Sequence, residues 1–303
     1  MNNFFINHYD DWRDGPNIFA NRLKIELENQ NNNFDLNSSN RIAITTGEYK
    51  KDCFNMLRLD GLYLDSKNYL GDSDLLNKPI FKCYEEFDHI IFQSEYAKKV
   101  YEAFTGTKKA NTVIYNGVDD IFFKNEEAIE KPEGFEKVVI ASSKWRRHKR
   151  IEETIEAFKD KRLKDVALVI LGGYKNIDMP NIFSLPMISP HELPKYYKMA
   201  DAMIHLCWLD CCPNSVIEGL ASGLPVICSH NGGTQELVKG DGIVIQLEDD
   251  YNYGDKVDLY NPPKVCIETI VSAIEKCLNI GPTKGRKDLH ISNVAKKYSN
   301  LFK

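Results

Sequence analysis

No run of about 18 apolar residues occurs in the sequence, so no segment reads as a membrane-spanning helix. The opening Met1-Asn2-Asn3-Phe4-Phe5 lacks the basic region and long apolar core of a secretory signal. No internal repeat at a fixed period is present. Positive charge is not in excess: the formal net charge is −5, so the chain as a whole is no general nucleic-acid binder, although one local basic patch remains open. Paired metal-ligand spacing is also missing. Of the eight cysteines, Cys207, Cys211 and Cys212 cluster, but no second ligand pair stands at zinc-site distance. Reduced thiols are the expected state, several of them inside apolar runs such as Val226-Ile227-Cys228, and a cytoplasmic location follows as an expectation.

The chain has 303 residues, enough for one large domain or two of ordinary size. Short, nearly continuous apolar runs predict strands at Ile42–Thr46, Asn55–Leu59, His89–Gln93 and Thr112–Tyr115. A second set follows at Val138–Ser142, Val166–Leu171, Ala202–Leu206, Pro225–Ser229 and Gly242–Gln246. Runs of this kind suit strands buried on both faces of a parallel sheet. Apolar residues recur at helical spacing between them, as in Ile151, Ile155 and Phe158, or Ile270, Ile274 and Leu278. The alternation predicts an α/β, doubly wound architecture with two such sheets. Asn116–Lys137 has linker chemistry, an Asn-Gly turn followed by a charged stretch ending in Pro132-Glu133-Gly134, and the boundary is placed there. The Asn-rich Glu28–Asn40 reads as a mobile loop or a fraying helix end. Two open α/β domains would face a cleft outside the carboxyl ends of their strands, where ligands bind in such folds.

Two segments carry chemistry. The strand Val138–Ser142 runs into Ser143-Lys144-Trp145-Arg146-Arg147-His148-Lys149-Arg150 and then a helix. A strand–loop–helix junction presents backbone N–H groups and a positive helix end, and added cations make it a phosphate or pyrophosphate site. A solvated basic loop or a nucleic-acid patch is the alternative, the latter weakened because no basic stripe continues elsewhere. The second segment runs from Trp208 to Ile227. Pro213, Asn214 and Ser215 are helix-start residues, and Gly223 ends the helix. Asp210 falls before this helix and Glu218 about one turn inside it. Their carboxylates suit sugar or ribose hydroxyls and the helix start suits phosphate. A capping Asp210 and a salt-bridged Glu218 remain the other reading.

At these residues the sequence resembles retaining glycosyltransferases of family 4, glycosyl transferases group 1, which have the GT-B fold. Asp210 and Glu218 have the spacing of the family's Glu-x7-Glu, with Pro213-Asn214 in register. Glu218-Gly219-Leu220-Ala221-Ser222-Gly223-Leu224-Pro225-Val226 is similar to its Glu-Ala-Met-Ala-x-Gly-x-Pro-Val, and Asn231-Gly232-Gly233-Thr234-Gln235-Glu236 to its Gly-Gly-x-x-Glu loop. Lys144 and Lys149 fall at the Arg and Lys of its basic loop, and Asn116-Gly117-Val118-Asp119 matches its interdomain segment. The pattern departs at Asp210, where the family has Glu, and at Ser143-Lys144, where it has Gly-Arg.

The resemblance implies two Rossmann-like domains facing a cleft. Residues 1–120 would form the acceptor side and 121–303 the donor-binding side, the last helix free to pack back on the first domain. It implies transfer of a hexosyl group from a nucleoside-diphosphate sugar, on UDP or GDP, to a saccharide, glycoconjugate or protein hydroxyl, with retention and with no divalent metal or other cofactor. Lys144, Lys149, Asp210 and Asp60 are the catalytic candidates. Asp60 falls near the position of a first-domain histidine of the family, and a turn residue before Gly61 is its other reading. Gly15, Ser143, Arg146, Asn214, Ser215, Glu218, Gly232, Gly233 and Glu236 would bind the donor, with glycines letting the backbone approach the sugar. Met187 and Ile188 would lie along the base. No nucleic-acid partner is implied, and peripheral membrane contact stays open. A sugar-nucleotide epimerase of the same fold, drawing on Asp10, Asp11, Asp14 and Asp60, and a non-catalytic sugar-nucleotide-binding protein are the competing readings.

Overall fold

A computed structural model describes residues 2–7, 15–64, 72–124, 127–174, 177–248 and 251–303. The chain divides into two compact units. The first is Met1–Asp119 with Tyr251–Asp258 and Asp288–Lys303, and the second is Asp120–Asp250 with Leu259–Lys287.

The first unit contains β1 (Asn3–Ile6), α1 (Gly15–Asn29), β2 (Asn33–Phe34), β3 (Asn40–Ile44), β4 (Phe54–Leu59), α2 (Ser73–Glu86), β5 (His89–Phe92), α3 (Glu95–Thr105) and β6 (Asn111–Val113). Its parallel sheet has the order β2-β1-β3-β4-β5-β6. Side chains alternate between two buried layers. Ile42, Ile44, Met56 and Ile91 enter a core with Phe19 and Leu23 of α1, while Ala43, Leu57, Leu59, Ile90 and Phe92 enter another with Ile80 and Tyr84 of α2. Burial on both faces explains why these strands read as unbroken apolar runs. The last helix, α9 (Ile291–Ser299), lies against α1, placing Ile291, Val294 and Tyr298 in the first of these cores. Gly117 admits it: a Cβ there would fall 3.0 Å from the Ile291 Cα. Val118 then pairs with His290 as an isolated parallel bridge.

The polar stretch 28–40 is not a loose loop. Asn31 takes a left-handed conformation (φ 61°) after α1, and the Asn32 side chain donates to the Leu27 carbonyl at 3.1 Å. β2 then pairs with β1, and the Asn40 amide donates to the Asn3 carbonyl at 3.1 Å. Asparagine side chains replace backbone partners here, which is why a hydropathy reading sees only polarity. β1, β2 and β9 (Ile182–Leu185) were not expected from pattern, being edge or near-edge strands too short to show a period.

The second unit contains β7 (Lys137–Ser142), α4 (Ile151–Ala157), β8 (Val166–Leu171), β9, α5 (Leu193–Met199), β10 (Ala202–His205), α6 (Asn214–Ala221), β11 (Val226–Ser229), α7 (Thr234–Val238), β12 (Gly242–Ile245) and α8 (Ile267–Leu278). Its six parallel strands have the order β12-β11-β10-β7-β8-β9. From the first strand the chain winds outward through β8 and β9, then returns and winds the other way through β10, β11 and β12. That is the Rossmann order, and its switch point lies between β7 and β10. Both units are thus doubly wound Rossmann-like domains. No helix among the described residues is long and apolar enough to cross a membrane.

Candidate active site at the switch point of the second sheet

The loops leaving the carboxyl ends of β7 and β10 meet at the switch point, the place where ligands bind in folds of this kind, and Trp208 N donates to the His148 carbonyl at 2.9 Å. The β7 loop is held from both sides. Trp145 Nε1 donates to the Leu171 carbonyl at 3.0 Å, and the backbone of Gly172 passes so close to Ser143 that a Cβ would fall 2.1 Å from its carbonyl oxygen. A turn at Arg147–Lys149 is closed by the Lys149 amide on the Arg146 carbonyl at 2.8 Å. Arg150 follows in the left-handed region (φ 54°) and buries its whole side chain, donating to the carbonyl oxygens of Leu206 and Pro263. Arg150 therefore anchors the loop from beneath, while Lys144, Arg146 and Arg147 are exposed. Arg147 pairs with Glu152 and Glu153 at the start of α4.

The β10 loop carries Asp210 to the same place. Lys149 Nζ lies 2.6 Å from Asp210 Oδ2, with both side chains mostly buried. His205 Nε2 lies 3.6 Å from the same oxygen, too far for a hydrogen bond. Burial disfavours every charge here, so the partners decide the protonation states. For Lys149, burial lowers the pKa, but Asp210 outweighs it and holds the ammonium above the ordinary lysine range. For Asp210, burial acts upward, and Lys149 with His205 carries it well below the ordinary carboxylate range. The pair is charged. Burial pushes His205 down and the Cys207 thiol up to about 12, so both are neutral near pH 7. His148 is also neutral, pushed down to about 3 by burial and then by Lys149.

His205, Cys207 and Asp210 could each bring one ligand atom within 4.8 Å of the others, the one such group among the described residues. It differs from the sequence cluster, for Cys211 and Cys212 are not in it. Its chemistry suits a metal poorly. The ammonium of Lys149 already sits on the carboxylate, and the thiol is far from deprotonation.

The loop after β11 closes the arrangement. Gly233 N donates to the Asp210 carbonyl at 2.8 Å, and Asp210 bridges to Gly232. Gly232 has φ 102°, and a Cβ on it would fall 2.6 Å from the Asp210 carbonyl oxygen. Gly232 thus lets the loop after β11 approach the backbone of Asp210 closely. Glu236 follows in the first turn of α7 and is half-buried. α6 begins at Asn214 behind Pro213, with no side-chain cap, so its positive end faces this edge of the sheet. Asn214 and Ser215 are half-buried, and Glu218 is buried, its Oε2 3.4 Å from the Tyr197 hydroxyl. Met187, 62% exposed, and Ile188 follow the carboxyl end of β9, two strands from the switch point.

Ser143, Lys144, Arg146, Lys149, Asp210, Asn214, Ser215, Gly232, Gly233 and Glu236 thus lie in loops or helix starts at one edge of one sheet. Gly15 and Asp60 belong to the first unit. Gly15 opens α1 and is exposed. Asp60 follows β4 and receives hydrogen bonds from Thr45 Oγ1 at 2.6 Å, Gln93 Nε2 at 2.9 Å and the buried Arg58 guanidinium. Asp10, Asp11 and Asp14 lie outside the described residues. Sequence reasoning missed His205 and Arg58. Each interrupts an apolar strand run, the one signal that marks them.

The model of the family described as glycosyl transferases group 1 matches residues 122–260. The matched residues make up less than half of the 303-residue chain and resemble that family. No curated protein matches the sequence. Among solved structures, a sucrose-phosphate synthase from Thermosynechococcus elongatus superposes with TM-score 0.66 at 14% identity, covering 100% of this chain and 95% of that one. WaaG, a glycosyltransferase involved in lipopolysaccharide biosynthesis, gives 0.58 at 10% identity, covering 99% and 95%. HepE from Anabaena, in complex with UDP-glucose, gives 0.57 at 14% identity, covering 100% and 95%. At these identities the likeness is one of fold, and the fold is GT-B. The matched segment contains the Lys149–Asp210 pair, α6 and the Gly232 loop.

Proposed function

We propose that this protein transfers a hexosyl group from a nucleoside-diphosphate sugar to a hydroxyl acceptor, with retention at the anomeric carbon and without a divalent metal. The observation that carries the reading is the charged Lys149–Asp210 pair at the switch point, beside the uncapped start of α6. Departure of a nucleoside diphosphate builds negative charge on its phosphates. Preorganised cations and a helix start stabilise that charge with no reorganisation during the reaction. Lys149, held charged by Asp210, supplies the fixed cation. Lys144 and Arg146, exposed on the same loop, face the phosphates. Ser143, Asn214 and Ser215 line the phosphate path.

Asp210 spends one carboxylate oxygen on Lys149, and its second oxygen orients the donor sugar. Gly232, Gly233 and Glu236 complete the sugar pocket. Glu218 holds the ribose hydroxyls, and Met187 with Ile188 lies along the base. Asp60 and Gly15 are assigned to the acceptor-side unit, Asp60 as the carboxylate that meets the acceptor or the sugar. The lysines stand in for a metal, which is the basis for metal independence. Retention rests on the family alone, since no carboxylate nucleophile is assigned. Eight cysteines, none of them in a disulfide, support a reducing compartment, the cytoplasm.

Thermal unfolding with UDP, GDP, ADP and dTDP and their sugars, in EDTA, tests the donor site. Binding at 100 times Kd adds about 2.7 kcal/mol, a shift of roughly 2–4 °C. A shift with one nucleotide family, lost in Glu218→Ala, supports the reading and names the base. No shift with any of them refutes it. Proton NMR of the product glycoside decides retention, and an inverted anomer rejects it.

A further inference from the structure

The edge of the second sheet opposite the candidate active site holds a cavity of about 430 Å³. It lies where β7, β10 and β11 begin, against the carboxyl end of α6 and the segment 281–287. Four lysines line it, Lys137, Lys198, Lys284 and Lys287, and they come from three different parts of the chain. Asp201 is the one carboxylate among the lining residues. It is already engaged by Lys131 Nζ at 2.7 Å, by Lys137 Nζ at 3.5 Å and by the Val138 amide at 2.8 Å. In a chain of net charge −5 this is a concentrated positive concavity.

Two observations mark it as built to receive something. Ser222, a buried lining residue, has a hydroxyl shielded from solvent and with no hydrogen-bond partner, a state that costs about 1–3 kcal/mol and that a turn of the side chain toward a ligand oxygen would relieve. Lys198 Nζ donates to the Ser222 carbonyl at 3.1 Å. That bond satisfies the end of α6 with one of its three N–H groups and leaves two for a ligand. Burial lowers the Lys198 pKa, a shift that a bound anion would reverse. The wall is also fixed. Thr283 N donates to the Gly223 carbonyl at 2.8 Å, and a Cβ on Gly285 would fall 3.1 Å from the Ala221 carbonyl oxygen, so the segment 281–287 is stapled onto α6.

We propose that this cavity binds a small phosphate-bearing metabolite, at a site separate from the donor site. Lysines brought to one concavity from three parts of the chain match the dispersed oxygens of a phosphate dianion. The volume exceeds that of inorganic phosphate and leaves room for a sugar-sized body. The site is independent of the donor reading, because its residues lie at the other edge of the sheet.

Isothermal titration of the full chain with inorganic phosphate, a hexose monophosphate and the unphosphorylated hexose tests this. Saturable binding of the hexose monophosphate at micromolar to millimolar concentration is expected, with inorganic phosphate weaker. Lys198→Ala and Lys284→Glu should each weaken it about tenfold or more, and Lys149→Ala should leave it unchanged. Lys284 is exposed, so its variant keeps the fold and the test stands even if Lys198→Ala unfolds. Absence of saturable binding, equal binding of the bare hexose, or binding lost in Lys149→Ala but kept in Lys284→Glu would overturn the proposal.

Discussion

Asp210 Oδ2 accepts from the Lys149 ammonium at 2.6 Å, although the two residues are 61 positions apart and arrive on loops that leave adjacent strands. Replacing Lys149 by Ala removes the fixed cation of the proposed transition state. The turnover number should fall about 10²–10³-fold, with a smaller change in KM. Steady-state kinetics on the identified donor measures this, and unchanged turnover would sink the assignment.

The same pair shapes the acid and alkaline limits of stability. The raised Lys149 pKa contributes stability that is complete below about 10.4 and lost as pH climbs through the folded value. The depressed Asp210 pKa contributes stability that is complete above about 3.9 and lost as pH drops through a folded value well below that. His148 and His205 act sooner on the acid side. Their folded pKa values are lowered, so between about pH 6.5 and the folded value, about 3 for His148, the unfolded chain binds more protons. Stability should decline by up to ~1.4 kcal/mol per pH unit for each histidine as pH drops below about 6.5. Urea unfolding between pH 7.5 and 5 measures the slope. A His148→Gln variant should show a shallower one, and an equal slope would remove His148 from the account.

Gly232 and Gly240 both have left-handed φ values, 102° and 92°, but differ in space. A Cβ on Gly240 meets nothing within 4 Å, whereas on Gly232 it collides with the Asp210 backbone. Gly240→Ala should cost only backbone strain, about 1–2 kcal/mol. Gly232→Ala should cost more, and should displace Asp210 enough to reduce activity. Equal midpoints of thermal unfolding and equal activities in the two variants would contradict this.

Arg58 is buried on β4, 1% exposed, and Asp60 is its counter-charge. Asn116 Oδ1 accepts from it at 2.5 Å, and the Phe19 ring lies 4.6 Å away. Asp60→Ala leaves the guanidinium buried without its carboxylate and should destabilise the first unit by about 3–5 kcal/mol. Asp60→Asn, which keeps the hydrogen-bonding shape, should cost clearly less. If Asp60→Asn folds normally yet loses turnover, Asp60 acts in the reaction as well as in the fold. If it keeps full turnover, the catalytic assignment fails.

The long parallel strands were legible because burial on two faces writes itself as continuous apolar runs, as in Val166–Leu171. β1 was less legible. Phe4 and Ile6 point into the core, but a four-residue strand has too few positions to show a period. The switch-point loops stood out through residue type: lysines and arginines after a strand, acids around a helix start. The Lys149–Asp210 contact did not, since nothing local records which loops a strand order brings together. His205 and Arg58 were lost for a related reason. A polar residue inside an apolar run is read as noise until its partners, distant in sequence, are placed beside it.

The return of residues 251–258 and 288–303 to the first unit has a consequence for synthesis. α1 keeps Phe19 and Leu23 in a core shared with Ile291, Val294 and Tyr298, and Lys303 N donates to the Asn40 side chain at 2.8 Å. During translation the first unit therefore emerges early but waits, with the α9-facing side of α1 bare, until the rest of the chain has been made. The second unit needs α8, whose Ile270 and Ile274 enter its core, and is complete once Lys287 has been made, before α9. The usual order, in which the amino-terminal domain folds first on the ribosome, is inverted: the half that appears first is closed last.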